Sequence, residues 1–205
     1  MKKKEIEFRL DYISKIIENL WIDLSIQRRF CGGGEIISID GRNIIHNTVN
    51  AKYRVINDIF FKYFSIQEKD VIVDVGCGKG RVFSYLLYKG VKNRMIGYEI
   101  NQLVGLKTKK HLSKYKNVEI NAENIFDNFP VDSNVFYIYN PFKGPMMEEF
   151  KESIWKIKQN DPVILYLNPE CIDSFNDARF AYEIVEIPYK TWSYDFAIIK
   201  IADYR

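Results

Sequence analysis

The stretch 71–81, V-I-V-D-V-G-C-G-K-G-R, constrains this chain more than any other. Its first five residues are apolar and β-branched apart from Asp74, the composition of a strand buried on both faces. Gly76, Gly78 and Gly80 then end the strand. They supply backbone that can take positive φ and carries no Cβ, so another molecule can lie against the peptide groups. The following V-F-S-Y-L-L-Y reads as the first turns of a helix. Strand, glycine loop and helix together form a crevice in which loop amides and a helix N-terminus face a ligand at the carboxyl end of a parallel strand.

A chain of 205 residues suits one core, and 47% hydrophobic residues give it ample material. The formal net charge of +3 is mild and, apart from Lys2-Lys3-Lys4, spread along the chain, so charge alone does not argue for a nucleic-acid partner, and with no concentrated basic stripe none is expected. Cys31, Cys77 and Cys171 are odd in number and widely spaced, fitting neither a disulfide framework nor a metal site, so no metal is expected. Glu5, Glu7, Arg9 and Asp11 interrupt any leader-like apolar run, and no long apolar stretch follows. A cytoplasmic protein with no membrane partner is expected.

Residues 5–30 carry Ile6, Leu10, Ile13, Ile17, Leu20, Trp21 and Leu24 at spacings of three and four, predicting one or two amphipathic helices. Gly32-Gly33-Gly34 breaks the pattern, I-I-S-I-D-G-R-N-I-I reads as a hairpin turning at Asp40-Gly41, and 48–64 reads as helical through Val49, Tyr53, Ile56, Ile59, Phe60 and Phe64. From there strands near 71–75, 95–99, 118–121, 135–139 and 162–167 alternate with helices near 80–89, 102–115 and 145–157 and a short one from Pro169. That alternation predicts a parallel sheet covered on both faces. Runs 181–189 and 193–202, separated by Lys190-Thr191-Trp192, predict an antiparallel hairpin at its edge. The division expected is 1–64 as a helical extension or lid and 65–205 as the ligand-binding domain.

Glycines at every second position depart from the dinucleotide fingerprint, whose third glycine would stand where Arg81 is. Glu99, at the end of the second strand, is placed to accept both hydroxyls of a ribose, with helix capping or solvation as the plainer roles. With these residues, V-D-V-G-C-G-K-G-R followed by G-Y-E-I-N resembles the first two motifs of class I S-adenosylmethionine-dependent methyltransferases, over about 65–205. The whole pattern is similar to a small bacterial-type group of unassigned substrate, and secondarily to protein-lysine methyltransferases.

The resemblance implies a Rossmann-like three-layer α/β sandwich, with a seven-stranded, mostly parallel sheet and an antiparallel C-terminal hairpin behind an N-terminal helical extension. It implies S-adenosylmethionine as cofactor, held by Asp74, Gly76, Cys77, Gly78, Gly80 and Glu99, with Asn121 and Ala122 on the adenine side. Y-I-Y-N-P-F resembles a shortened form of the tetrad of amino-group methyltransferases. That puts Tyr139, Asn140, Pro141 and Phe142 at the methyl group, with the aromatic ring stacked on the substrate, against the plainer role of ending a strand. The acceptor expected is an N or O nucleophile of a small molecule, glycan or protein side chain. Tyr53 and Tyr194 are further substrate-side candidates, with ordinary packing as the alternative; Arg28 and Arg29 read as lid residues or as a solvated basic pair; His46 and His111 receive no role. A nicotinamide-dependent oxidoreductase and a non-catalytic cofactor-binding protein of the same fold stay open.

Overall fold

The N-terminal periodicity resolves into one helix, α1 (Lys2–Gln27), and not two. The computed structural model describes residues 2–31, 37–39, 42–44, 51–189 and 192–202, with the side chains of α1 described at Ser14 and from Ile16 on. Ile22 and Ile26 of α1 are buried, whereas Ile17, Trp21 and Leu24 face outward. The small hairpin forms from β1 (Ile37–Ile39) and β2 (Arg42–Ile44), with Ile37 opposite Ile44. Its turn at Asp40-Gly41, the glycine triplet, His46 and Val49 lie outside the described residues. The second predicted helix is shorter than its pattern: α2 (Tyr53–Asn57) runs straight into a π-helical turn, Asp58–Tyr63. Together they bury Tyr53, Val55, Ile56, Ile59 and Phe60.

Beyond that turn the chain alternates as its periodicity predicts. β3 (Ile72–Val75) leads to α3 (Arg81–Tyr88), β4 (Met95–Tyr98) to α4 (Gln102–Leu112), and β5 (Val118–Asn121) through a loop to β6 (Val135–Ile138). Then come α5 (Pro145–Lys156), β7 (Val163–Leu167), β8 (Phe180–Tyr189) and β9 (Trp192–Ile201). The short helix expected from Pro169 is a single 3₁₀ turn, Ile172–Phe175. α3 stops where Gly90, at φ +79, turns its N–H back to the Leu87 carbonyl.

The sheet order is β5-β4-β3-β6-β7-β9-β8, parallel except for β9. From β3 the chain moves outward through β4 to β5 and then crosses back to β6 on the other side of β3, so the strand order reverses there and a crevice opens between the carboxyl ends of β3 and β6. Alternation along each strand feeds two cores. Ile72 packs with Ile22, Ile56, Phe60, Phe83 and Leu86 on one face, while Val73 packs with Phe136, Phe150 and Ile154 on the other. Removing each such side chain from water contributes roughly 1.5–3 kcal/mol. The extension from Ile22 to Phe60 therefore shares its core with the sheet.

Candidate functional site

At the end of β3 the backbone changes hand: Gly76, Gly78 and Gly80 take φ of +78, +52 and +72. Only glycine holds such angles cheaply, and at Gly80 space is a second reason, since a Cβ would lie 2.8 Å from Leu112 Cδ1. The N–H groups of Gly76 and Cys77 both donate to the Tyr98 carbonyl at 2.9 Å, tying the loop to β4. Its next three carbonyls are pulled back into the protein. Thr108 Oγ1 donates to Gly78 O at 2.8 Å, and Gln27 Nε2 to Lys79 O at 2.7 Å. Gly80 O accepts from Ser84 N and Oγ at 2.9 and 3.0 Å. Arg29 completes the brace, with its guanidinium on Lys79 O, Thr108 Oγ1 and Gln27 Oε1.

Two acids stand at the crevice. Glu99 accepts the Gly78 N–H on Oε2 and the Asn101 N–H on Oε1, both at 2.9 Å. Each oxygen keeps lone pairs for further donors, such as a pair of hydroxyls. Asp74 is 3% exposed, and burial, then the charge of Glu99, push its carboxyl up to about 8. Arg81, although buried nearby, serves other partners. Its Nε donates to Ala51 O at 3.0 Å, its Nη1 lies 3.7 Å from Asp23 Oδ2, and its guanidinium sits 3.9 Å from the centre of the Tyr53 ring. Tyr53 in turn donates its hydroxyl to Asp23.

A cavity of about 50 Å³ lies between these groups, lined among others by Asp74, Gly76, Arg81, Tyr137 and Tyr139. The Tyr137 hydroxyl is buried and has no hydrogen-bond partner among the described residues. A buried acid and a hydroxyl, neither partnered by a side chain among the described residues, together suit a ligand that brings a positive group and an acceptor of its own. Cys77 is not a nucleophile here: burial, then the charges of Asp74 and Glu99, raise its thiol well above the ordinary range. Its sulfur instead packs over Gly97.

On the β6 side, Tyr139, Asn140 and Pro141 form the rim. Tyr139 accepts a hydrogen bond from Asn168 Nδ2 at 3.1 Å. Asn140 takes φ +48, with Tyr166 Oη donating to its Oδ1 at 2.8 Å and its Nδ2 donating to Glu170 Oε1 at 3.1 Å. Pro141 Cβ stands 3.4 Å from the point where a Gly76 side chain would begin. Phe142 is placed elsewhere: at 6% exposure it packs against Phe126 and Phe150, with ring centres 5.2 and 5.4 Å away. Its ring belongs to the hydrophobic core on that face of the sheet. Asn121 and Ala122 sit together at the carboxyl end of β5; the Asn121 carbonyl accepts from Glu99 N at 3.0 Å, and Ala122 lies against Gly105.

Several site residues carry no local signal. Gln27 is 52 positions from the carbonyl it holds, and nothing around it in sequence marks it. Arg29 reads as a lid residue or a solvated cation, yet it is bound into the loop's support. His111 Nδ1 pairs with the Gln27 carbonyl at 3.0 Å, and Tyr115 donates to Ile26 O, so α4 holds the end of α1. Asp23 and Tyr137 are likewise invisible until the fold closes.

No family model matches the chain. Ribosomal RNA small subunit methyltransferase A of Thermotoga petrophila is 32% identical over 101 residues, covering 48% of this chain but 37% of that protein. The chain thus spans well under half the length of that curated relative. Among solved structures, an RNA methyltransferase from Salinibacter ruber in complex with S-adenosyl-L-homocysteine superposes with a TM-score of 0.54 at 18% identity, over 77% of this chain and 96% of that one. The tRNA methyltransferase TrmK of B. subtilis does so with 0.57 at 12% identity, over 76% and 68%. Sheet order, glycine loop and these superpositions agree that the chain has the Rossmann-like fold of class I S-adenosylmethionine-dependent methyltransferases.

Proposed function

We propose that the chain is an S-adenosylmethionine-dependent methyltransferase whose acceptor is a nitrogen of an RNA base. The observation that carries the reading is the pairing of a glycine loop, its carbonyls bound back into the protein, with two buried acids that form no ion pair among the described residues. The cofactor's charges fit that deficit. Asp74 would face its positive amino-acid end, the orphan Tyr137 hydroxyl its carboxylate, and Glu99 its ribose hydroxyls, with Asn121 and Ala122 flanking the adenine. When bound, the cofactor supplies a methyl group on a sulfonium: the C–S pair returns to sulfur as the acceptor's lone pair forms the new bond.

The protein's own task is alignment and exclusion of water. Tyr139, Asn140 and Pro141 form the wall against which the acceptor nitrogen is positioned. The Asn140 amide, held by Tyr166 and Glu170, is rigid enough to define that wall. The proton displaced from nitrogen leaves to solvent, so no dedicated base is needed. Residues 1–64 act in this reading as cover and brace for the domain 65–205, in a cytoplasmic setting consistent with free Cys31, Cys77 and Cys171. No helix among the described residues is long and apolar enough to cross a membrane.

The RNA reading runs against the expectation of no nucleic-acid partner. A net charge of +3 averages the surface, whereas backbone contact needs only a local set of cations. The relatives support RNA: the Thermotoga, Salinibacter and B. subtilis proteins all carry it in their names. The test is calorimetry with S-adenosylhomocysteine, followed by transfer of labelled methyl from the donor into total RNA, total protein or small-molecule extract. Saturable binding and label in RNA are expected. No binding sinks the methyltransferase reading, and label only in protein or small molecules sinks the RNA acceptor. A nicotinamide enzyme would instead quench or shift NADH fluorescence, which Arg81 in place of the third glycine argues against.

A further inference from the structure

A second cavity, of about 220 Å³, lies outside the glycine-loop crevice. Its floor is Tyr53 of α2 and Tyr85 of α3, stacked with ring centres 5.3 Å apart, and Tyr189 at the end of β8 closes the far side. Asn57, whose Oδ1 takes the Tyr85 hydroxyl at 3.0 Å, and the exposed carboxylate of Glu18 add polar edges. Lys52 and Arg54 stand exposed at the mouth, and neither joins an ion pair among the described residues. The volume is below the roughly 300–1,000 Å³ that encloses a whole drug-sized ligand, so it suits a single planar ring system. Tyrosine edges, an amide and a carboxylate that can accept N–H groups, and two exposed cations at the entrance are the chemistry that recognises one nucleotide: base inside, phosphate outside.

Position ties this cavity to the crevice. Tyr53 is the partition, since the guanidinium packed on its ring belongs to Arg81, which lines the smaller cavity. Tyr189, a lining residue of the cavity, pairs with Trp192 at the start of β9. Pairing of Leu167 with Phe196 carries β9 past the carboxyl end of β7, where Asp195 O accepts from the N–H of Asn168, the residue bonded to Tyr139, and Tyr194 lies one position beyond. From Tyr194, Tyr189 is 5.7 Å away and the half-exposed Trp192 4.3 Å. Buried Tyr194 thus packs between the strand end beside Asn168 and Tyr189 of the cavity wall.

We propose that this cavity binds a nucleotide of the acceptor strand flanking the methylated one, its base against the tyrosine floor and its phosphate on Lys52 and Arg54. The inference rests on the RNA-methyltransferase reading above. Its test is fluorescence anisotropy of a short, labelled, mixed-sequence single-stranded RNA with the intact chain, the double variant Lys52→Ala/Arg54→Ala and Glu18→Gln, over a range of salt. S-adenosylhomocysteine calorimetry on each protein runs in parallel. The double variant is expected to bind RNA about tenfold more weakly, with the logarithmic salt slope smaller by about two, and to bind S-adenosylhomocysteine as the parent does. Glu18→Gln is expected to change the ranking of homopolymeric probes and leave the slope alone. RNA affinity and slope untouched by the double variant overturn the subsite. So does a parent that binds adenosine monophosphate through these residues but no RNA strand. A parent that binds neither S-adenosylhomocysteine nor RNA overturns the reading beneath it instead.

Discussion

Asp74 is an acid buried beside another acid, and its raised pKa has two measurable consequences. The folded chain holds at Asp74 a proton that the unfolded chain gives up, so the stabilisation is full below the ordinary carboxylate range and is lost as pH rises through about 8. A cation placed against Asp74 favours the carboxylate, so binding S-adenosylmethionine near pH 7 should expel the proton. The binding enthalpy should then vary with the ionisation enthalpy of the buffer, and in Asp74→Asn that variation should vanish. Gly97 tests packing instead. A Cβ there would fall 2.7 Å from Phe83 Cε2 and 2.8 Å from both Cys77 Sγ and Ile120 Cδ1. Gly97→Ala should cost ~1–3 kcal/mol in denaturant unfolding, as overpacked cores do. The motif makes Asp74, the glycines and Glu99 legible one by one, because their chemistry depends on a few adjacent residues. The Tyr137 hydroxyl, unpartnered among the described residues, is not legible, since a tyrosine's partners are known only once its neighbours are.

Among elements, α1 does more than cover the sheet. Its last turn reaches the glycine loop through Gln27 and is pinned by His111 and Tyr115 at the end of α4. Gln27→Ala would leave Lys79 O with fewer donors and remove a partner of Ser84 Oγ. Losses of this kind cost ~1–3 kcal/mol, and the loop conformation competent for cofactor should bear most of it. S-adenosylhomocysteine affinity should drop about tenfold by calorimetry, a loss of ~1.4 kcal/mol, with the acceptor KM unchanged. The helices and strands themselves are legible from periodicity, down to the stop at Gly90. Two details are not. α2 is short because the chain widens into a π-turn at Asp58–Tyr63, and both Asn-Pro corners, at Asn140 and Asn168, rest on asparagines with φ of +48 and +49. Asparagine tolerates that conformation, so the strands β6 and β7 can end abruptly at the crevice.

At the scale of the whole molecule, ligand and fold are linked by mass action. Cofactor that binds the native state alone, at a hundred times its Kd, should add ~2.7 kcal/mol. For a chain of this size that raises Tm by ~5–11 °C in a thermal scan, and removing the ligand by dialysis should reverse the shift. A chain that binds S-adenosylhomocysteine without that rise would have a site that also survives unfolding, contrary to one assembled from α1, β3, β4 and α4. The sequence by itself determined the parallel sheet, the closing hairpin and the residues of the glycine loop, because period, glycine spacing and strand-end acids act over a few positions. Only the tertiary structure decided that Phe142 is core, that Arg29 and Gln27 support the loop, and that Tyr53 parts two cavities. Those roles depend on which surfaces meet across tens of residues, and no local pattern encodes that meeting.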